Sequence, residues 1–256
     1  MTRRTGWMAS LILAVRFLTI APVPGAEATG PGALGRAAWW FPAIGLVLGT
    51  GLMLADRALA LLVPPLLSAV LTLAIWKVST GGIHLDGLAD CLDGLGGATP
   101  ERSLSIMRDS HIGVFGTLGL ALDLMIAGAA LASIPVAARS TVVLMAPALG
   151  RLTPLLIGFV VRAATPGHGL GAGFLGALPA AAGPSWLAVL LVLGWALNGA
   201  AGLGIAAGAL IAGIGGVMAL SRRSRGLTGD SLGASVEITE LAFLVLSAAS
   251  SGGGLT

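Results

Sequence analysis

Apolar residues in this chain come in long unbroken runs, and the polar residues gather in the short stretches between them. Backbone amides inside a bilayer have no water to bond, so such runs must be helices there, each needing about 20 residues to cross. The runs predict spans at 37–63, 66–78, 113–134 and 141–161, two crossings within 174–220, and a short one from 241 to about 252. Pro64 and Pro65 end the first helix and start the second. At about 1.5 Å per residue the second reaches about 20 Å, short of the roughly 30 Å hydrocarbon core. The stretch that follows it is therefore expected to begin inside the membrane boundary. The run 174–220 is too long for one crossing, and either Asn198 to Gly204 or Pro179 and Pro184 are placed to divide it. The N-terminal run from Trp7 to Ile20 is interrupted by Arg16 and has no small-residue cleavage site, so it reads as a retained amphipathic helix. The expected fold is all-α: a polytopic integral membrane helical bundle of about seven transmembrane helices, forming one domain over 1–256.

Composition agrees, with 56% of the 256 residues hydrophobic and 10% charged. Cys91 is the one cysteine, which excludes an internal disulfide and a multi-cysteine zinc site. The net charge of +3 does not signal nucleic acid, because the basic residues are dispersed at segment ends. Their distribution instead sets orientation. If 77–112 is cytoplasmic, Arg3, Arg4, Arg16, Arg36, Lys77, Arg102, Arg108, Arg162, Arg222, Arg223 and Arg225 all fall inside or at the inner boundary. Only Arg57 and Arg139 fall outside, and Arg151 lies mid-span. Trp39, Trp40, Trp76 and Trp186 lie near span ends, as an interfacial aromatic belt would place them.

Of 11 acidic residues, eight sit in two segments read as cytoplasmic: Asp86, Asp90, Asp93, Glu101 and Asp109, then Asp230, Glu237 and Glu240. In "TGGIHLDGLADCLDGLGG" (80–97), Asp86, Asp90 and Asp93 stand at i, i+4 and i+7, on one helical face. Like charges so stacked repel, and a divalent cation converts repulsion into coordination. Oxygen ligands without clustered cysteine or histidine point to Mg2+, with Mn2+ second. In "MRDSHIGVFG" (107–116), Arg108, Asp109 and Ser110 precede the glycines that open the next helix, a junction suited to an anion. His111 reads equally as a base or as a loop residue. "GLTGDSLGASVE" (226–237) offers Thr228, Gly229, Asp230, Ser231 and Glu237 to a metal-bound phosphate. Asp123 and Arg151 are charges inside spans, where an unpaired charge is costly. They pair with each other, or Arg151 holds a phosphate at the floor of a cavity.

Taken together, the motifs resemble the cobalamin synthase family, the adenosylcobinamide-GDP ribazoletransferases. The resemblance rests on "RFLTIAPVP" (16–24), "WWFPAIGLVLG" (39–49), "GGIHLDGLADCLDG" (81–94), "MRDSHIGVFG" (107–116), "RAATPGHGLGAGF" (162–174) and "LTGDSLGASVE" (227–237), in order along nearly the whole chain. Cys91 and Leu92 depart from the expected small or polar residues, and His168 replaces an acidic residue before Gly-Leu-Gly. The resemblance implies a single catalytic domain in the bacterial cytoplasmic (inner) membrane, with its active site on the cytoplasmic face. It implies a transferase joining adenosylcobinamide-GDP to α-ribazole or its 5′-phosphate, with release of GMP and Mg2+ as cofactor. Implied metal ligands are Asp86, Asp90, Asp93, Asp109, Asp230 and Glu237. Asp109 or Asp230 would accept the ribazole proton, and His84 would orient an aspartate or act as base. Arg16, Arg108, Ser110, Arg151, Arg162, Thr228 and Gly229 would contact substrate.

Two other classes stand beside this one. A CDP-alcohol phosphotransferase also lines helices with aspartates, but Asp90 stands where its motif needs arginine and the later spacing is compressed. A cation-coupled transporter would use Asp123 and Arg151, yet no inverted repeat is evident and the carboxylates favour one face. Partners are these substrates and membrane lipid, with no nucleic acid; the Gly and Ala content also permits a homo-oligomer.

Overall fold

A computed structural model of the chain describes residues 3–165 and 169–252. His168, the departure in the Gly-Leu-Gly loop, lies outside the described residues. Every regular element within them is helical. The order is α1 (Arg3–Leu18), α2 (Ala33–Ala37) running through a 3-10 turn into α3 (Phe41–Ala60), α4 (Pro65–Ser79), α5 (Ile83–Gly94), α6 (Pro100–Met107), α7 (Val114–Ser133), α8 (Val136–Ile157), α9 (Gly169–Gly176), α10 (Ala182–Leu220) and α11 (Gly229–Gly252).

Among the described residues five helices are long and apolar enough to cross a bilayer; α4 is shorter, and it passes the same test only together with α5, into which it bends by 87°. The 39-residue α10 breaks at Asn198 and at Gly199, whose φ is 60°. A Cβ on Gly202 would stand 2.3 Å from the carbonyl oxygen of Gly194. An unbroken helix would hold those residues about 12 Å apart. The chain therefore doubles back at 198–199, where Asn198 was one of the two candidate dividers. The hairpin divides α10 into two legs, in line with the expected two crossings within 174–220. At the N-terminus, α1 is not the expected amphipathic helix, because its polar positions do not gather on one face.

Buried α8 is the central post, with 83% of its most apolar window inside the protein. Glycines let α3 lie against it antiparallel. A Cβ on Gly45 would meet the Ala148 Cα at 2.5 Å, and one on Gly49 the Leu144 carbonyl oxygen at 2.2 Å. Without a hydrophobic drive between helices in lipid, such backbone contact supplies the attraction. Outward, Val47, Leu54, Val192 and Ile211 are exposed, as a lipid-facing surface requires.

Charges that hydropathy placed at the edges lie inside instead. The expected short crossing at 241–252 is the second half of α11, so Glu237 and Glu240 are helical and each 1% exposed. Lys77 on α4 bonds Glu237 and reaches Glu240 at 3.0 Å, while Arg151 on α8 bonds Glu240. Arg151 thus pairs with Glu240, not Asp123. Arg139, expected outside, is fully buried in a bidentate pair with Asp56 at 2.9 and 3.0 Å, completed by Ser68 and Thr72. Trp76 is 1% exposed and belongs to the core, not to an interfacial belt. Hydropathy scores a charge as a stop and cannot recognise its partner in another helix.

A candidate active site at the end of the bundle

Gly81 and Gly82, with φ of 62° and 69°, turn the chain between α4 and α5 in a conformation side chains resist. The helices meet at 87°. Hence α5 turns away across the end of α4 and carries its aspartates there. It rests on the start of α11: a Cβ on Gly87 would stand 2.7 Å from the carbonyl oxygen of Asp230. Close approach at Gly87 therefore sets Asp86 and Asp90 beside Asp230.

Thr228 shapes the start of α11. Its Oγ1 accepts from the Ser231 amide at 3.1 Å, while Ser231 Oγ accepts from the Thr228 amide at 3.2 Å. Satisfying these free amides is what helix caps do. The preceding loop is held by a two-bond bridge between Arg162 to Ala164 and Leu227, each bond 2.9 Å. Segments read separately in sequence are thus stitched together.

The three aspartates of α5 divide. Asp86 is exposed and lines a cavity together with Asp230. Asp90 is half-buried, and burial followed by the charges of Asp86, Asp230 and Asp93 pushes its carboxyl up to about 7. Repulsion of that kind is what a bound cation relieves. Asp93 has a different partner: its two oxygens accept from the Gly113 amide at 2.7 Å and the Gly116 amide at 2.8 Å. The opening of α7 does hold an anion, but that anion is Asp93. Its carboxylate caps a helix, so it is not free as the predicted metal ligand.

Other predicted residues also fall elsewhere. Asp109 and Asp93 line a separate depression with Arg102 and His111, and Asp109 is bonded to His111 Nδ1 at 2.7 Å. Ser110 is exposed beside it. Glu237 is held by Lys77, and Arg16 bonds Val23, Gly25 and Glu27, bracing the segment after α1. Arg162 contributes its backbone to the bridge with Leu227. None of Arg16, Ser110 and Arg162 lines the cavity. His84, expected to orient an aspartate, is 5% exposed with Nδ1 unpartnered. Burial, then the charges of Arg151 and Lys77, keep its imidazole neutral.

The cavity has a volume of about 390 Å³, and His84, Asp86, Arg108, Arg151, Thr228, Gly229 and Asp230 all line it. Phe17, Phe41 and Phe174, each inside a motif block but not singled out there, form an apolar wall. Among the described residues no three carboxylates or imidazoles close into a finished metal cage. Magnesium does not need one: it binds through one or two carboxylates, waters and substrate phosphates. Asp86, on the cavity, and Asp90 beside it supply two such carboxylates, with Asp230 close by.

Residues 10–248 match the cobalamin-5-phosphate synthase (CobS) family. A protein named adenosylcobinamide-GDP ribazoletransferase from Desulfitobacterium hafniense (strain Y51) is 38% identical over 250 residues, covering 93% of this chain and 96% of its own. Proteins of the same name from Pseudomonas aeruginosa (strain UCBPP-PA14) and Geotalea daltonii are 37% and 35% identical, over 93% and 91% of this chain and 97% and 94% of theirs. No solved structure matches the chain. With most of its length matched and its motif segments meeting at one cavity, this chain belongs to the cobalamin-5-phosphate synthase family.

Proposed function

We propose that this protein joins adenosylcobinamide-GDP to α-ribazole or its 5′-phosphate, releasing GMP, in a magnesium-dependent reaction at the cytoplasmic face of the bacterial inner membrane. Membership of a family whose relatives carry that activity in their names supports the reading. The observation that carries it to residues is the meeting of Asp86 and Asp230, from motifs 144 positions apart, at the mouth of one cavity. The preference for basic residues on the motif side supports the cytoplasmic placement.

Asp86 and Asp90 would hold the metal, whose contribution when bound is to neutralise charge on the pyrophosphate and on departing GMP. Arg108, on the loop pinned by the Asp93 cap, lines the same cavity and adds positive charge at the phosphates. A ribazole hydroxyl oxygen forms the new bond to phosphorus, the bond to GMP breaks, and Asp230 takes the hydroxyl proton. Asp109 is out of the running for that proton because it faces the other depression.

The test is GMP release by purified protein in detergent, given Mg2+, the GDP-activated corrinoid and ribazole. Release that needs both substrates is expected, and Asp86→Asn should abolish it without affecting membrane insertion. No release from the unaltered protein would sink the reading and favour a transporter.

A further inference from the structure

Arg151 sits at the deep end of the apolar wall, 1% exposed, with only Nη1 engaged by Glu240 and the Pro147 carbonyl. Its Nε and Nη2 have no partner, and neither does Nδ1 of His84 on the same cavity. Buried polar groups without partners are rare, because each costs a lost hydrogen bond. Two such groups on one cavity point to a ligand atom.

Charge decides what kind of atom. Lys77 and Arg151 face Glu237 and Glu240, two cations against two carboxylates, with Asp123 a further carboxyl close by. No positive charge is left over, and a phosphate pushed against this floor would be a buried uncompensated anion. The floor therefore suits a neutral hydrogen-bond acceptor. The walls say what carries it. Phe17 and Phe41 stack at 6.0 Å with 16° between planes, and Phe41 meets Phe174 at 5.9 Å. Leu18, Ile83 and Pro154 complete an apolar enclosure suited to a flat aromatic ring.

Resting on the transfer reading above, we propose that this chamber seats the base of the acceptor nucleoside. The base is a neutral bicyclic heteroaromatic ring among Phe17, Phe41 and Phe174, with its unsubstituted ring nitrogen accepting from Arg151 Nε or Nη2. The ribose and any phosphate on it then lie toward Asp86, Thr228 and Asp230 at the mouth. Arg151 becomes a specificity-determining residue that reads the base, in place of a phosphate clamp.

The experiment titrates the full protein in detergent, without metal or corrinoid, with benzimidazole riboside and with indole riboside, where C–H replaces the ring nitrogen. The unaltered protein should prefer benzimidazole by about tenfold, the scale of one buried hydrogen bond. Arg151→Met should bind both alike, and Phe174→Ala should weaken both about tenfold. In turnover, Phe174→Ala should raise KM for the riboside and leave KM for the GDP-corrinoid unchanged. Equal binding of the two ribosides by the unaltered protein overturns the proposal. So does a Phe174→Ala effect confined to the corrinoid, or an Arg151→Met loss confined to 5′-phosphorylated riboside. If Arg151→Met does not fold, the unaltered protein and Phe174→Ala still decide. Base-selective binding without GMP release would instead defeat the transfer reading alone, and GMP release without base selectivity would defeat only this one.

Discussion

Asp90 and Asp93 are three residues apart and do opposite work. Asp90 carries a carboxyl pushed up to about 7 by burial and by its acidic neighbours, so below that pH it holds a proton that the proposed metal would have to displace. With limiting Mg2+, GMP release should rise close to tenfold per unit as pH climbs toward 7 and level off above it, and Asp90→Asn should abolish it. The sign for folding is opposite. The folded protein binds this proton more tightly than the unfolded chain does, so metal-free stability should fall from about pH 4 to about 7 and return on adding Mg2+. Thermal unfolding with and without the metal reads this directly. Asp93 instead satisfies two amides of α7. Asp93→Asn should cost about 1–3 kcal/mol in the same assay. Asp86→Asn should leave stability intact or improve it, because it relieves repulsion. Equal destabilisation by the two changes would contradict this division of roles.

At the scale of elements, the site depends on how closely α5 lies on α11. Gly87→Ala would push a Cβ to 2.7 Å from the Asp230 carbonyl oxygen and part the two helices. A shift of about 1 Å at a reacting centre costs on the order of 100-fold in rate, so turnover should fall by that much while the protein still inserts. Gly51→Ala on α3 is the control, since nothing stands within 4 Å of its Cβ, and should retain activity. Periodicity placed Asp86, Asp90 and Asp93 on one face of a helix, and they are. Which of them a neighbouring helix would claim was not legible, because the claim is made by amides 20 and 23 residues further on.

At the scale of the molecule, the end away from the site is tied by Asp56 and Arg139, both fully buried. Removing one leaves the other charged and unpaired, so Arg139→Met should destabilise by about 3–5 kcal/mol, with much of that recovered in the double change with Asp56→Leu. A denaturation midpoint for each variant measures it. The proposed orientation has a direct check: with 60–65 and 221–228 at opposite ends, Leu62→Cys should react with a membrane-impermeant maleimide on intact cells and Arg223→Cys only after permeabilisation. Cys91 is buried and should stay silent. Labelling in the reverse order would put the proposed site outside.

Long apolar runs and Gly-Pro punctuation carried the helices, their approximate number and the hairpin in 174–220 within the sequence, because a bilayer leaves an apolar run no other way to satisfy its backbone. Motif order carried the family, and the carboxylate-rich segments carried the neighbourhood of the site. Partnership was decided only in three dimensions. The pairing of Lys77 and Arg151 with α11, the bond from Asp56 to Arg139, the capping by Asp93 and the aromatic wall all join residues far apart in the chain. A charge reads as polar in one dimension whatever it later meets, and only packing determines whether it faces water, a metal or an opposite charge.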